Sequence, residues 1–412
     1  MSRHELAAAL LAVGLIFTFP ACNGSSVTSK PGPTSSPSVQ TTPTPDPGQS
    51  LDSFAIYGQE GWGVTRDSAG PISSLLRTTD GGRTWHPITP RVTQDHFIFG
   101  FALIDVARAW LMTANNSLGT GPAELLATAD GGQTWASTSA PAIFFRGALI
   151  TFSDGTHGWL ATPGEPISQF QQQGIVIDRT TDAGKSWKRV AQTNFPPVRS
   201  TAGAPSVNCG KSDLSFLNAS TGWLTGGCTS GITFERTTDG GVTWKGQPLS
   251  PPRGGTFAKD CEGGPCELSA PRFVSANFAY MVLHDSGLYP GRSWLYISRN
   301  GGRSWRASAL PGQGTGVTML TSSVGFASLG EAVDSTGATN QAAPWLYRTD
   351  DGGATWQAVT ANLQLWANTL DCVSASQCWA LSASLSGSDG PAQLFATSDG
   401  GRTWTLLPFH VA

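Results

Sequence analysis

From residue 51 onward the apolar positions fall in short runs, among them Trp159-Leu160-Ala161, Ile175-Val176-Ile177, Ile232-Thr233-Phe234 and Trp345-Leu346-Tyr347, each closed off by Gly, Asp, Ser or Thr. None of these stretches carries the spacing of an amphipathic helix, so the pattern predicts short strands joined by tight turns. One segment differs: Leu6 to Phe19, a largely apolar run behind Arg3. It is too short for a hydrocarbon core, which takes roughly 20 residues, and suits the apolar centre of an export signal. No later segment is long and apolar enough to predict a transmembrane helix.

The strands repeat. A box of the form Ser/Thr-x-Asp-x-Gly-x-Ser/Thr-Trp recurs at Asp80, Asp130, Asp182, Asp239, Asn300, Asp351 and Asp399, with intervals of 50, 52, 57, 61, 51 and 48 residues. A period near 50 marks a repeat architecture. The carboxylate is expected to accept N–H groups of its own turn, and the second Gly to supply a positive φ. Ala183 replaces the first Gly in the third copy while Gly184 is kept, so the second position reads as the demanding one. The closing residues Trp85, Trp135, Trp187, Trp244, Trp305, Trp356 and Trp404 are expected in the core, where each would bury about 150 to 250 Å². A second aromatic slot, Trp62, Trp110, Trp159, Trp223, Tyr280, Phe326 and Trp379, lies 16 to 25 residues before each box. Four short strands in about 50 residues make one blade, so residues 51–412 are predicted to form a seven-bladed β-propeller.

The box looks like the Asp box, or BNR repeat, of sialidases and related propellers. Leu214-Ser215-Phe216-Leu217-Asn218-Ala219-Ser220-Thr221-Gly222-Trp223-Leu224, running on to Thr237-Thr238-Asp239-Gly240-Gly241-Val242-Thr243-Trp244, resembles the photosystem II stability and assembly factor propellers. The resemblance implies a structural role for the boxes and a protein-binding, assembly-type role for the domain. Sialidase chemistry is not expected. The Arg-Ile-Pro signature is absent, with Phe145-Arg146 running on to Gly147-Ala148, and Tyr57, Tyr280, Tyr296 and Tyr347 fall in strand slots, leaving Tyr289 in a loop.

Phe19-Pro20-Ala21-Cys22 resembles the lipobox of bacterial lipoproteins, which implies a leader over 1–21 and a lipid-modified Cys22; cleavage without lipid is the alternative. Ser, Thr and Pro make up 18 of the 28 residues from Asn23 to Ser50. Such a stretch cannot bury enough apolar surface to order itself, so residues 22–50 are expected to be an extended tether. The expected address is the cell envelope, with the domain anchored on the outer side of the cytoplasmic membrane.

Composition then narrows the function. With 50 Gly, 13% charged residues and a net charge of −3, the chain is neither a charged helical bundle nor a basic nucleic-acid binder. Cys209, Cys228, Cys261, Cys266, Cys372 and Cys378 form an even set in an exported chain, read as three local disulfides, 209–228, 261–266 and 372–378. Their spacing is not that of a zinc module, and neither metal nor cofactor is expected. The histidines (His4, His86, His96, His157, His284, His410) are scattered and read as surface or turn residues.

Arg77, Arg179, Arg236 and Arg348, with Arg83, Lys185, Arg303 and Arg402, recur before or within the boxes. They read either as a recognition surface for acidic or protein partners or as solvated outer-strand charge. The longest irregular stretches, 168–174, 199–211, 253–271 and 331–343, are expected to supply part of a binding rim. The resulting expectation is a monomeric, non-enzymatic envelope propeller that binds a protein or membrane complex. The competing expectation is a glycan-binding protein or glycoside hydrolase using carboxylates among Glu124, Glu165, Glu235, Glu262, Glu267 and Glu331.

Overall fold

Seven four-stranded antiparallel sheets follow one another along the chain, each paired in sequence order from an inner to an outer strand. Blade 1 is Leu51–Tyr57, Glu60–Arg66, Ile72–Thr78 and His86–Pro87. Blade 2 is Phe97–Leu103, Ala109–Ala114, Ala123–Thr128 and Ala136–Ser139. Blade 3 is Leu149–Phe152, Gly158–Ile167, Gln172–Thr180 and Lys188–Thr193. Blade 4 is Asp213–Phe216, Gly222–Cys228, Gly231–Thr237 and Lys245–Gly246. In blade 5 the inner strand is split into Cys266–Leu268 and Arg272–Phe273, followed by Ala279–Asp285, Ser293–Ser298 and Arg306–Ala309. Blade 6 is Gly316–Met319, Gly325–Ser328, Leu346–Thr349 and Gln357–Ala358. Blade 7 is Ala367–Cys372, Cys378–Ser382, Gln393–Thr397 and Thr405–Leu407.

This computed structural model describes residues 51–412 except 67–71, 91–96, 116–122, 140, 142–146, 168–171, 195–199, 229–230, 261–265, 286–291, 313, 315, 330–331, 334–338, 341–344, 364, 366 and 383–391. The expected leader, the tether, Cys22 and Cys261 lie outside the described residues. Among those described, the one helix is the single turn Phe257–Asp260, and no helix is long and apolar enough to cross a membrane.

The boxes join the third strand of each blade to its outer strand. Asp80 Oδ1 accepts the Thr78 hydroxyl at 2.9 Å and the N–H groups of Arg83 and Thr84 at 3.0 and 2.9 Å. In blade 5 Asn300 Oδ1 accepts the equivalent three, while its amide donates to the Ser304 hydroxyl at 2.8 Å. The Ser/Thr hydroxyl two places before the acidic position accepts the second-Gly N–H in all seven copies. The first-Gly N–H, or that of Ala183, donates to the turn between the blade's two inner strands, again in all seven.

Both glycine positions have positive φ, 71–77° at the first and 75–92° at the second, with Ala183 at 64°. The second differs in what it packs against. A Cβ on Gly401 would overlap Leu346 Cδ2, and one on Gly302 would overlap the Trp223 ring, both in the preceding blade. At the first position a Cβ would meet an arginine end at Gly131, an arginine and a main-chain carbonyl at Gly240 and Gly352, and a carbonyl at 3.1 Å at Gly301 and Gly400. The third copy carries Ala at this position, at a φ of 64°.

The core lies between blades. Trp110 stacks on Phe152 at 3.6 Å and Trp159 on Phe216 at 3.5 Å; Trp187 and Trp244 then meet those phenylalanines edge-on at 6.2 and 6.1 Å. Each slot aromatic thus serves the next blade. The closing tryptophans depart from the expected uniform burial: Trp85, Trp244 and Trp404 are buried, whereas Trp135, Trp187, Trp305 and Trp356 are half-buried. The buried three are covered by a crossing segment. The N–H groups of Trp244 and Trp404 donate to Gly203 O and Asn362 Oδ1 in the chain entering their blades. At Trp85 the C-terminal residues do this: Trp85 N–H donates to His410 O at 2.8 Å and Ala412 N–H to Trp85 O at 2.9 Å, which closes the ring.

Candidate functional site

Two regions combine irregular structure with titratable groups: the inner strands around the propeller axis, and the end of the sheets opposite the boxes. On the inner strands, the residues facing the slot aromatics across the ladder are Ala55, Ala102, Thr151, Ser215, Arg272, Thr318 and Asp371. Two of these seven are charged. Arg272 interacts with Asp213 of the preceding blade and with Asp371 two blades on.

Each carboxylate also joins neighbouring blades. Asp213 Oδ2 accepts Ala270 N–H at 2.8 Å and its Oδ1 accepts Leu214 N–H at 2.8 Å; Asp371 Oδ2 accepts Ile56 N–H at 2.9 Å. Burial pushes both acids up to about 6, against the opposing pull of these N–H groups and of Arg272. Burial opposes the Arg272 charge as well, but the Tyr280 hydroxyl and the two aspartates outweigh it and raise its pKa. Burial, then Asp371 and Asp105, raise the phenol of Tyr57. No sequence signal marked Asp213 or Asp371, because both lie in inner-strand positions that the box does not define.

At the opposite end, Cys209 and Cys228 are joined by a disulfide with Cα atoms 5.0 Å apart; at the box end, Cys372 and Cys378 are joined by another across the inner hairpin of blade 7, with Cα atoms 4.0 Å apart. Cys266 is also disulfide-bonded. Cys209 bridges to Gln172 of blade 3 and holds a φ of 56°. Beside it the buried Lys211 ammonium donates to the carbonyls of Gln173, Asn208 and Cys209 at 3.2, 2.9 and 2.9 Å. Burial pulls its pKa down to about 8. Glu235 accepts Ser206 N–H at 3.0 Å, so the segment before blade 4 is pinned by a disulfide, a cation and a carboxylate.

The six glutamates weighed from sequence are not brought together among the described residues. Glu124 bonds Ser137 in blade 2, Glu235 is engaged as above, and Glu267 faces His284 across blade 5 with its pKa raised by burial. Glu262, Glu331 and the Glu165 side chain lie outside the described residues, as do Tyr289, His4 and His96. His157 pairs with Asp154 at 2.8 Å; Tyr280 and Tyr296 hydroxyls donate to Val317 O and Ser250 O. No group of His, Cys, Asp or Glu that could hold a metal occurs among the described residues.

Three of the four arginines before the boxes fit neither reading made from sequence. Arg77, Arg179 and Arg348 lie over Trp62, Trp159 and Phe326 at 5.5 to 5.6 Å and donate to carbonyls of the next blade, Val106, Ala219 and Ala375. They staple blades. The slot tryptophans do the same: the indole N–H groups of Trp110, Trp159 and Trp379 donate to Ala183 O, Gly240 O and Gly81 O in the next box.

The fold defines a seven-bladed β-propeller. No family model matches the chain, and no curated protein matches it. Among solved structures it is similar to the GH74 xyloglucanase from Xanthomonas campestris, with a TM-score of 0.52 and 14% identity over 88% of this chain and 55% of that one. A puromycin-hydrolyzing peptidase from Mycobacterium tuberculosis gives a TM-score of 0.50 and 14% identity over 88% of this chain and 52% of that one. A structure of YCF48 bound to D1 peptide gives 0.44 and 16%, over 77% and 84%. The chain thus spans about half the length of the xyloglucanase and the peptidase, and the likeness is one of fold. The disulfides suit an extracellular or periplasmic location.

Proposed function

We propose that the chain is an exported, lipid-anchored and monomeric propeller that binds a protein or membrane complex without catalysing a reaction. One observation carries this reading: Leu51, where the tether would join, begins an inner strand at the same end from which all four irregular stretches leave. Stretches 168–174 and 331–343 lie between second and third strands, and 199–211 and 253–271 between outer and inner strands. An anchor at Cys22 would therefore join the propeller, through the tether, at its loop end. A rigid scaffold presenting irregular loops at one end is a common arrangement for recognition.

A glycoside hydrolase remains the second reading, and Asp213 and Asp371, both moved toward neutrality, are what favour it. The engagement of both by main-chain N–H groups of the next blade supports binding over hydrolysis. In vivo crosslinking followed by a pull-down from detergent-solubilised envelope, with the Cys22-anchored protein as bait, tests this. Recovery of one stoichiometric complex, lost on deleting Gly254–Gly264, supports the proposal. Absence of any partner, with glycan cleavage that Asp371→Asn abolishes, overturns it.

A further inference from the structure

Blade seams repeat, so a seam that breaks the repeat is informative. In four seams an arginine reaches a carbonyl in the next blade: Arg77, Arg179 and Arg348 from the third strand, and Arg299 from the box just past it. In the seam between blades 4 and 5 it does not. Arg236 lies over Trp223 at 5.5 Å, yet its side chain makes no hydrogen bond or ion pair with a described residue, and its Nε is buried without a partner. An inserted amide also marks this seam: Trp223 Nε1 donates to Gln247 Oε1, and Gln247 Nε2 donates to the carbonyls of Gly302 and Arg303 at 2.7 and 3.2 Å, in place of the direct indole-to-box bond of other seams.

Two more cations converge on the place left open. Lys245 is the ladder partner of Arg236, on the same face of the sheet, two residues before Gln247. Arg303 belongs to the box that Gln247 grips, and its charge, after burial, pulls the Arg236 pKa down, so the two guanidiniums sense each other. Neither Lys245 nor Arg303 makes a side-chain ion pair among the described residues. Elsewhere Arg77, Arg108, Arg189 and Arg348 are paired with acids. This seam also holds the one box whose acidic position is Asn, so the carboxylate that would offset the cluster is missing where the cations meet.

We propose that Arg236, Lys245 and Arg303 form an anion site for a phosphoryl group at the blade 4–5 seam. Three cations gathered without an acid are best satisfied by one compact oxyanion of more than unit charge, and the planar guanidiniums suit its oxygens. The site goes beyond the loop-end reading and lies at the opposite end of the sheets.

The test is calorimetric titration of the full chain with inorganic phosphate, chloride keeping the ionic strength constant. Saturable binding is expected, weakened about tenfold or more by Arg303→Gln or Lys245→Gln, as loss of one charged hydrogen bond implies. Arg402→Gln, the equivalent box position in blade 7, should leave it unchanged. No binding beyond chloride, or equal losses in the blade 5 and blade 7 variants, overturns the proposal. Vesicles of phosphatidylglycerol or phosphatidylcholine then distinguish sources. Retention on the anionic vesicles that Arg303→Gln abolishes assigns the group to a lipid headgroup, and binding of free phosphate alone assigns it to a soluble ligand.

Discussion

The two ends of this propeller are built on different principles. At the box end, seven copies of one turn repeat the same hydrogen bonds, and most blades are tied to the next there by an indole, a guanidinium or, in one seam, an amide. At the loop end nothing repeats, and order comes from single devices: the Cys209–Cys228 disulfide, the carbonyl cradle of Lys211 and the Glu235 carboxylate on Ser206. Repetition distributes stability, so each box device is worth little alone. The loop end concentrates it, so one loss there should be felt more.

The sharpest test of that contrast is the double substitution Cys209→Ser/Cys228→Ser. Closing a separation of 19 residues implies a loss of about 3 kcal/mol on the chain-entropy account, read as a lower urea midpoint. A change below the error of the measurement would erase the distinction between the ends. Next, within one box, Gly401→Ala should cost about 2 to 3 kcal/mol, because its Cβ overlaps Leu346 at a φ of 90°. Gly400→Ala should cost about 1 kcal/mol, since Ala183 already occupies the equivalent place. Equal costs would show that φ, and not packing against the preceding blade, sets the demand.

Asp239→Asn is expected to cost about 1 kcal/mol or less, because Asn300 makes the corresponding bonds in blade 5. A loss of several kcal/mol would mean that the carboxylate charge itself holds the turn. Last is a pH effect whose sign separates the axial acids from the boxes. Asp213 and Asp371 are raised to about 6, so the native state takes up protons before the unfolded chain, and stability should rise as pH falls from about 7 toward 4. Asp130, Asp182, Asp351 and Asp399 are lowered to about 2 by hydroxyl and N–H donors, so their contribution is lost as pH falls from about 4 to 2. Melting temperatures across pH 3–8 should peak between these limits. A monotonic fall from pH 7 downward would remove the axial acids from the account.

Much of the architecture was legible before any coordinates. The box period, the closing tryptophans and the aromatic slot specify blades because a turn and its apolar anchor are local, and local chemistry is written contiguously in the chain. Two of the local cysteine pairs, 209–228 and 372–378, were readable for the same reason: Cys372 and Cys378 flank a single hairpin. Reading the arginines failed because their meaning is not local. Arg77 resembles surface charge until Val106 of the next blade is seen to accept it.

The axial acids show the same limit. Asp213 and Asp371 are 158 residues apart in the chain, and both feel the Arg272 charge only because the ring gathers the inner strands of blades 4, 5 and 7 around one axis. The sequence by itself therefore determined the blade, its number and its turns, since these depend on neighbours within about 50 residues. Tertiary structure alone decided which residues meet across seams and around the axis, because ring closure sets those distances and no pattern along the chain encodes them.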